Sequence, residues 1–125
     1  IVLALMSINN HIVWPGETFS FNGVVGPRTP ERGYRPAPVM GGDGIGFGGG
    51  VCQVSTTLYN AVLAAGLKVV ERHPHSSRVP YVAAGKDATV VYGAQDLRFL
   101  NNLSHPVIIK AGISRGKIAV YILGK

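Results

Sequence analysis

The feature that most constrains this chain is an abrupt change of character at residue 51. Residues 41–50 hold seven glycines, and the fifteen that follow, VCQVSTTLYNAVLAA, hold none. A glycine-rich segment has little conformational preference of its own and lets backbone approach other groups closely. In the second stretch Val51, Val54, Leu58, Val62 and Ala65 fall at helical spacing, and Gly66 follows as a C-terminal stop. The spacing predicts a helix over about 51–65. That helix is apolar or small almost all round, so it must be buried, and the rest of the chain must wrap it. With 125 residues there is enough chain for one modest core, and the single cysteine rules out both an internal disulfide and a cysteine zinc cluster.

The wrapping segments read mainly as short strands. Residues 1–9 suit a short helix, broken by Ser7, Asn9 and Asn10. Trp14-Pro15-Gly16-Glu17 is a turn, with Pro presetting φ and Gly taking positive φ. Thr18 to Phe21 alternates as a strand. Residues 33–40 hold two prolines and suit an edge strand or an extended loop. Leu67 to Arg72 reads as a strand ended by His73-Pro74, and further strands are expected at 89–92, 97–100, 107–111 and 117–123. The last two, separated by residues 112–116, form a C-terminal hairpin. The expected fold class is α+β: the buried central helix packed on a bent, mainly antiparallel sheet, with no internal repeat or domain boundary.

Twelve Lys and Arg against six Asp and Glu give a net charge of +6, which suits an anionic partner. The cations are scattered, with no basic stripe interleaved with aromatics, so nucleic acid is not expected. No apolar run reaches membrane-spanning length, and the opening Ile1 to Met6 is too short and lacks the basic flank of a signal peptide. The chain does not begin with Met and reads as a piece of a longer protein, so any membrane contact is expected through segments outside it.

The sharpest local feature is Gly48-Gly49-Gly50-Val51-Cys52-Gln53, which delivers a cysteine into the first turn of the buried helix. The first amides of a helix lack internal partners and its dipole is positive there. A thiolate is stabilised at such a place, where cysteine pKa values fall from about 8.5 to roughly 3.5–7.5, and the same amides can hold an oxyanion. The plain alternative is a packed core thiol, since cysteine is among the most buried residue types. The glycine run lacks the Gly-Lys-Ser/Thr ending of a nucleotide-phosphate loop.

A nucleophilic cysteine needs a base. The histidines are His11, His73, His75 and His105. His73 and His75 lie two apart in an extended segment and so share a face. They follow the strand after the Cys52 helix, and the lengths match: a helix of about 15 residues and a strand of about seven both span roughly 22–23 Å. A strand returning antiparallel would bring them to the level of Cys52. His75, followed by Ser76 rather than Pro74, has more freedom to orient its ring. Asp87 and Asp96 are the choices for a group that orients the base, and Arg98 or Arg72 for a substrate carboxylate. The same residues also suit surface ion pairs and turn-flanking histidines. A metal would need the two histidines plus Cys52, Asp87 or Asp96, and no recognised ligand spacing is complete, so neither metal nor cofactor is expected.

Several segments together resemble the VanW family. They are Pro15-Gly16-Glu17 with Phe19-Ser20-Phe21-Asn22, Gly26-Pro27-Arg28-Thr29, Arg32-Gly33-Tyr34, and the specific run from Gly48 to Asn60. Glu71-Arg72-His73-Pro74-His75-Ser76, Tyr81-Val82, Asp87-Ala88-Thr89-Val90 and Asp96-Leu97-Arg98-Phe99 with Asn101-Asn102 follow in order. The resemblance implies an extracytoplasmic module of the bacterial cell envelope, often one part of a larger membrane-anchored protein. Some members are similar to L,D-transpeptidases and cross-link peptidoglycan stem peptides through a cysteine acyl-enzyme. For this chain that implies Cys52 as nucleophile, with His75 or His73 as base and Asp96 behind it. Gly49, Gly50, Gln53, Ser55, Arg72 and Arg98 would contact the stem. The alternatives are a non-catalytic peptidoglycan-binding module, or a cysteine carboxypeptidase or amidase acting on the same stems.

Overall fold

A computed structural model of the chain describes residues 1–33, 36–38, 45–47, 50–75 and 85–124. The α+β class is as expected. In chain order the elements are α1 (Val2–Ile8), β1 (Ile12–Val13), β2 (Thr18–Ser20), α2 (Phe21–Val25), a 3-10 turn (Pro30–Arg32), β3 (Pro36–Pro38) and β4 (Ile45–Phe47). They continue with α3 (Val51–Ala65), β5 (Lys68–Glu71), β6 (Arg98–Leu100), β7 (Val107–Ser114) and β8 (Lys117–Gly124).

The central helix has the predicted bounds. It starts at Gly50, which is left-handed at φ 92°, and stops at Gly66, also left-handed at φ 74°. The stop satisfies the helix's last carbonyls: Gly66 N–H donates to Leu63 and Val62, and Leu67 N–H to Val62 at 3.2 Å. Burial is graded along the helix. Val51, Val54, Ser55, Thr56, Leu58, Tyr59 and Val62 are buried, whereas Leu63 and Ala64 near the end face water. α3 packs against β8, β5 and α1.

Among the described residues the strands form two three-stranded antiparallel sheets and a two-stranded antiparallel pair, in place of the one bent sheet expected from sequence. One sheet has the order β1-β7-β8, the other β2-β6-β5, and β3 pairs with β4 inside the proline- and glycine-rich stretch. The first presents Val13, Val107, Ile109 and Val120 inward to the helices; the second contributes Phe19 and Phe99, register partners whose rings stack at 5.0 Å. The separation has a local cause. β2 ends after three residues because Ser20 caps α2 through Gly23 N–H, and Phe21 N–H turns to the Leu97 carbonyl.

Three further expectations change in detail. The C-terminal strands run on to Ser114 and Lys117, leaving a two-residue turn at Arg115 and Gly116, both at positive φ, in place of the loop expected at 112–116. Phe21 belongs to α2, not to the strand before it. The strand expected at 89–92 is absent: residues 86–90 run extended but are held by helix side chains, and Val91 forms only an isolated bridge with Gln95.

Candidate active site

Residues 86–90 are the backbone of the site. They lie antiparallel along α3, held by a ladder of side-chain hydrogen bonds. Asn60 Nδ2 donates to the Lys86 carbonyl at 2.8 Å, Thr56 Oγ1 accepts from Ala88 N–H at 3.0 Å, and Ser55 Oγ donates to the Ala88 carbonyl at 2.5 Å. Cys52 Sγ meets the Val90 carbonyl at 3.6 Å. Ser55 and Thr56 are buried polar residues whose hydroxyls do the work a neighbouring strand would otherwise do. Ser55, expected to contact substrate, is fully buried and holds the site's backbone.

On its other side the same segment meets the chain leaving β5. Thr89 N–H donates to the His73 carbonyl at 2.7 Å, and Asp87 receives three groups from this stretch. Its Oδ2 accepts from His75 N–H at 2.6 Å and lies 2.6 Å from His75 Nδ1, while its Oδ1 accepts from Arg72 Nη2 at 3.1 Å. Arg72 Nε also donates to the Asp87 carbonyl at 2.7 Å, and its guanidinium lies 5.2 Å from the centre of the Tyr59 ring on α3. Asp87 is buried, and burial alone would raise its pKa. The hydrogen bonds from the His75 backbone and ring outweigh that and hold the carboxyl below its ordinary value.

The group that orients His75 is therefore Asp87, and Asp96 has a different task. Asp96 Oδ1 accepts from Asn22 N–H and Leu97 N–H, both at 2.8 Å, and its Oδ2 accepts from Ser20 Oγ at 2.5 Å. It holds the corner between β2, α2 and β6. His73 and His75 go to different acids: His73 Nε2 lies 2.8 Å from Glu71 Oε2, which also accepts from Asp96 N–H. Arg98 reaches the other Glu71 oxygen at 3.8 Å. The His73 hydrogen bond is the main cause that keeps the Glu71 carboxyl below its ordinary pKa. His11 packs edge-on to Phe19, and His105 Nδ1 lies 3.2 Å from the Pro106 carbonyl, so neither belongs to the site.

Cys52 stands in the first turn of α3, half-buried, as the sequence implies. Its ionisation goes the other way. Burial pushes the thiol above its ordinary pKa, and the Val90 backbone and the charge of Arg28 offset this only in part. At rest the sulfur is a thiol directed at a carbonyl. Among the described residues no hydrogen bond joins it to His75; the two grip one short segment three residues apart, at Val90 and Asp87. Gly50 supplies the open helix start, and a Cβ there would fall 2.6 Å from Ile1 Cγ1. Gln53 is half-buried on the first turn, its N–H donating to the Gly50 carbonyl at 3.1 Å, and Gly49 lies outside the described residues.

Arg28 is the residue the sequence reading left out of the expected site, while Asp87 was one of its two choices for the group behind the base. Arg28 is the cation whose charge reaches Cys52. It donates to Asn22 Oδ1 and the Gly26 carbonyl, both at 2.7 Å, and its guanidinium lies 5.6 Å from the centre of the Phe21 ring and 5.9 Å from that of Tyr92. The available signal was its place in the Gly26-Pro27-Arg28-Thr29 motif. Among the described residues no cluster of three His, Cys, Asp or Glu could hold a metal ion.

The family model described as VanW like protein matches residues 1–123. YoaR of Bacillus subtilis is 52% identical over 113 residues, covering 89% of this chain and 37% of YoaR. The vancomycin B-type resistance protein VanW of Enterococcus faecalis is 29% identical over 111 residues, covering 80% of this chain and 39% of that protein. The chain thus spans less than two-fifths of the length of either relative. No solved structure matches it significantly.

Proposed function

The chain belongs to the VanW family, and on that premise we propose that it is a cysteine acyltransferase of the bacterial cell envelope, an L,D-transpeptidase acting on peptidoglycan stem peptides. The observation that carries this reading is the pairing on residues 86–90. The one cysteine of the chain lies against Val90 at a helix start, and three residues away along the same backbone the buried Asp87 holds His75. A thiol and a carboxylate-oriented base held on one short backbone segment are the parts nucleophilic catalysis requires.

In this reading His75 takes the Cys52 proton as substrate displaces the thiol from the Val90 carbonyl. With Nδ1 on Asp87, the exchange runs through Nε2. The sulfur attacks the carbonyl of the third residue of a donor stem, and amides of the first α3 turn receive the oxyanion. The terminal D-alanine leaves with the proton from His75, leaving a thioester. The side-chain amine of an acceptor stem attacks this thioester, gives its excess proton to His75 and releases Cys52, joining the third residues of two stems. Arg72 or Arg98 receives the stem carboxylate, and Arg98, 3.8 Å from Glu71, is the more exposed of the two. Peptide stems are the substrate, and no cofactor is required.

One observation favours a second reading. A thiol whose pKa is raised by burial and which donates to a carbonyl is also what a packed, inert cysteine looks like. The module would then bind peptidoglycan without altering it. Mass spectrometry of disaccharide-tetrapeptide incubated with the wild type, Cys52→Ala and His75→Ala separates the readings. A dimer that requires both residues supports the transferase. A tripeptide monomer that requires both makes the enzyme a carboxypeptidase. Binding of the muropeptide with no product in any sample leaves the binding module.

A further inference from the structure

The outer face of the β1-β7-β8 sheet is apolar where it meets water. Ile12 and Trp14 at β1 are 42% and 56% exposed, and Tyr121 and Leu123 on β8 are 63% and 51% exposed. The residues are in register: Ile12 pairs with Ile108, and Ile108 with Leu123, so one aliphatic row crosses all three strands. A groove of about 330 Å³ runs beside this row, lined by Ile12, Trp14, Pro106, Ile108 and Leu123. A second depression of about 410 Å³ continues the face past Lys110 and Tyr121. Continuous exposed apolar surface of this kind marks a place where something docks.

The charge on this face is one-sided. Residues 101–125 contain no Asp or Glu. Lys110 pairs with Tyr121, and Lys117 shares the Tyr121 and Leu123 side of β8 by strand alternation, while Arg115 stands at the hairpin turn. Lys110 Nζ donates to Asn10 Oδ1, a neutral partner that leaves its charge in place. Glu17, the acid nearest β1 in sequence, accepts from Trp14 N–H at 3.0 Å. A second copy stacked on this face by a twofold axis would set lysines against lysines, so the charge selects an anionic partner. Aliphatic residues flanked by a tryptophan, a tyrosine and long-stemmed cations match a lipid interface, where the aromatic rings sit at headgroup depth and the cations meet phosphates.

We propose that the outer face of the β1-β7-β8 sheet docks on an anionic lipid surface. Ile12, Ile108 and Leu123 enter the acyl boundary, Trp14 and Tyr121 lie among the headgroups, and Lys110, Arg115 and Lys117 bind their phosphates. The sequence expectation placed membrane contact outside the chain because no single run is apolar enough. This face joins residues 12–14 to 106–124 and exists only once the sheet is formed.

Trp14 is the only tryptophan, so its fluorescence reports on the face directly. The protein is titrated with phosphatidylcholine vesicles, with vesicles that also contain phosphatidylglycerol, and with inorganic polyphosphate. The expected result is a blue shift on the anionic vesicles only, with binding at least about tenfold stronger than to neutral vesicles and weakened by salt. Lys110→Glu with Lys117→Glu should weaken that binding by about tenfold or more at unchanged circular dichroism. Leu123→Glu should remove the blue shift. Equal binding to neutral vesicles, or an unshifted Trp14 on anionic ones, overturns the proposal. Polyphosphate binding as tight as that of the vesicles would assign the face to an anionic polymer instead. A blue shift that grows with protein concentration in the absence of lipid would assign it to a second copy.

Discussion

Asp87→Asn tests the electrostatic centre of the site. The carboxylate accepts from His75 N–H at 2.6 Å and from Arg72 Nη2 at 3.1 Å, and lies 2.6 Å from His75 Nδ1; its residue is only 8% exposed. The amide keeps the shape, but it removes the charge and turns a donor toward one of these groups. Breaking a buried charge pair costs about 3–5 kcal/mol. Arg72 keeps its hydrogen bond to the Asp87 carbonyl and is 22% exposed, so the lower part of that range applies, about 3 kcal/mol in all. With a urea slope of about 1.5 kcal/mol/M the unfolding midpoint should fall by roughly 2 M. The effect has a pH signature. The folded pKa of Asp87 lies below its unfolded value, so its contribution is fully present above the unfolded pKa of about 3.9 and is lost as pH falls through the folded value. The gap between wild type and variant should be constant at neutral pH and close progressively below about pH 4. Urea unfolding across that range is the assay. A midpoint within error of wild type at neutral pH, or a gap that persists undiminished in acid, would refute the reasoning.

Other perturbations isolate single features of the fold and site. Because burial raises the Cys52 pKa, the alkylation rate of native protein by iodoacetamide should still be climbing with pH above about 8.5; a plateau below neutrality would contradict the packing around the sulfur. Gly50→Ala combines a left-handed φ with a Cβ 2.6 Å from Ile1, whereas at Gly66 the same change meets open space at a similar φ. Thermal unfolding should therefore show Gly66→Ala costing about 1 kcal/mol and Gly50→Ala clearly more, and equal losses would argue against the Ile1 contact. Asn101 is fully buried, with Nδ2 donating to the Val13 and His105 carbonyls and Oδ1 accepting from Leu103 N–H. Asn101→Ala should cost about 2–4 kcal/mol in denaturant unfolding, and a loss under 1 kcal/mol would show that water replaces those bonds.

What was legible in the sequence was local. The bounds of α3, its glycine stop, the Pro15-Gly16 turn and the terminal hairpin each follow from residues within one element. Misreadings came where a local pattern met a distant partner. Residues 89–92 are β-branched and aromatic like a strand bounded by turn residues, yet the segment leading into them is satisfied by Ser55 and Thr56 hydroxyls on a helix. Asp96 looked like a catalytic support because it starts a strand beside Arg98, but Ser20 and Asn22, more than seventy positions earlier, had already claimed it.

The sequence by itself determined that a cysteine would stand at the start of a buried helix, and that two histidines would come just after the strand that follows it. Periodicity and glycine placement act over a few residues, which is the range sequence spacing can express. Only the tertiary structure decided which acid serves which histidine, that Arg28 is the cation near the sulfur, and that burial raises the thiol pKa against the helix dipole. Those outcomes depend on how closely groups distant in the chain approach, and on how much water is left between them.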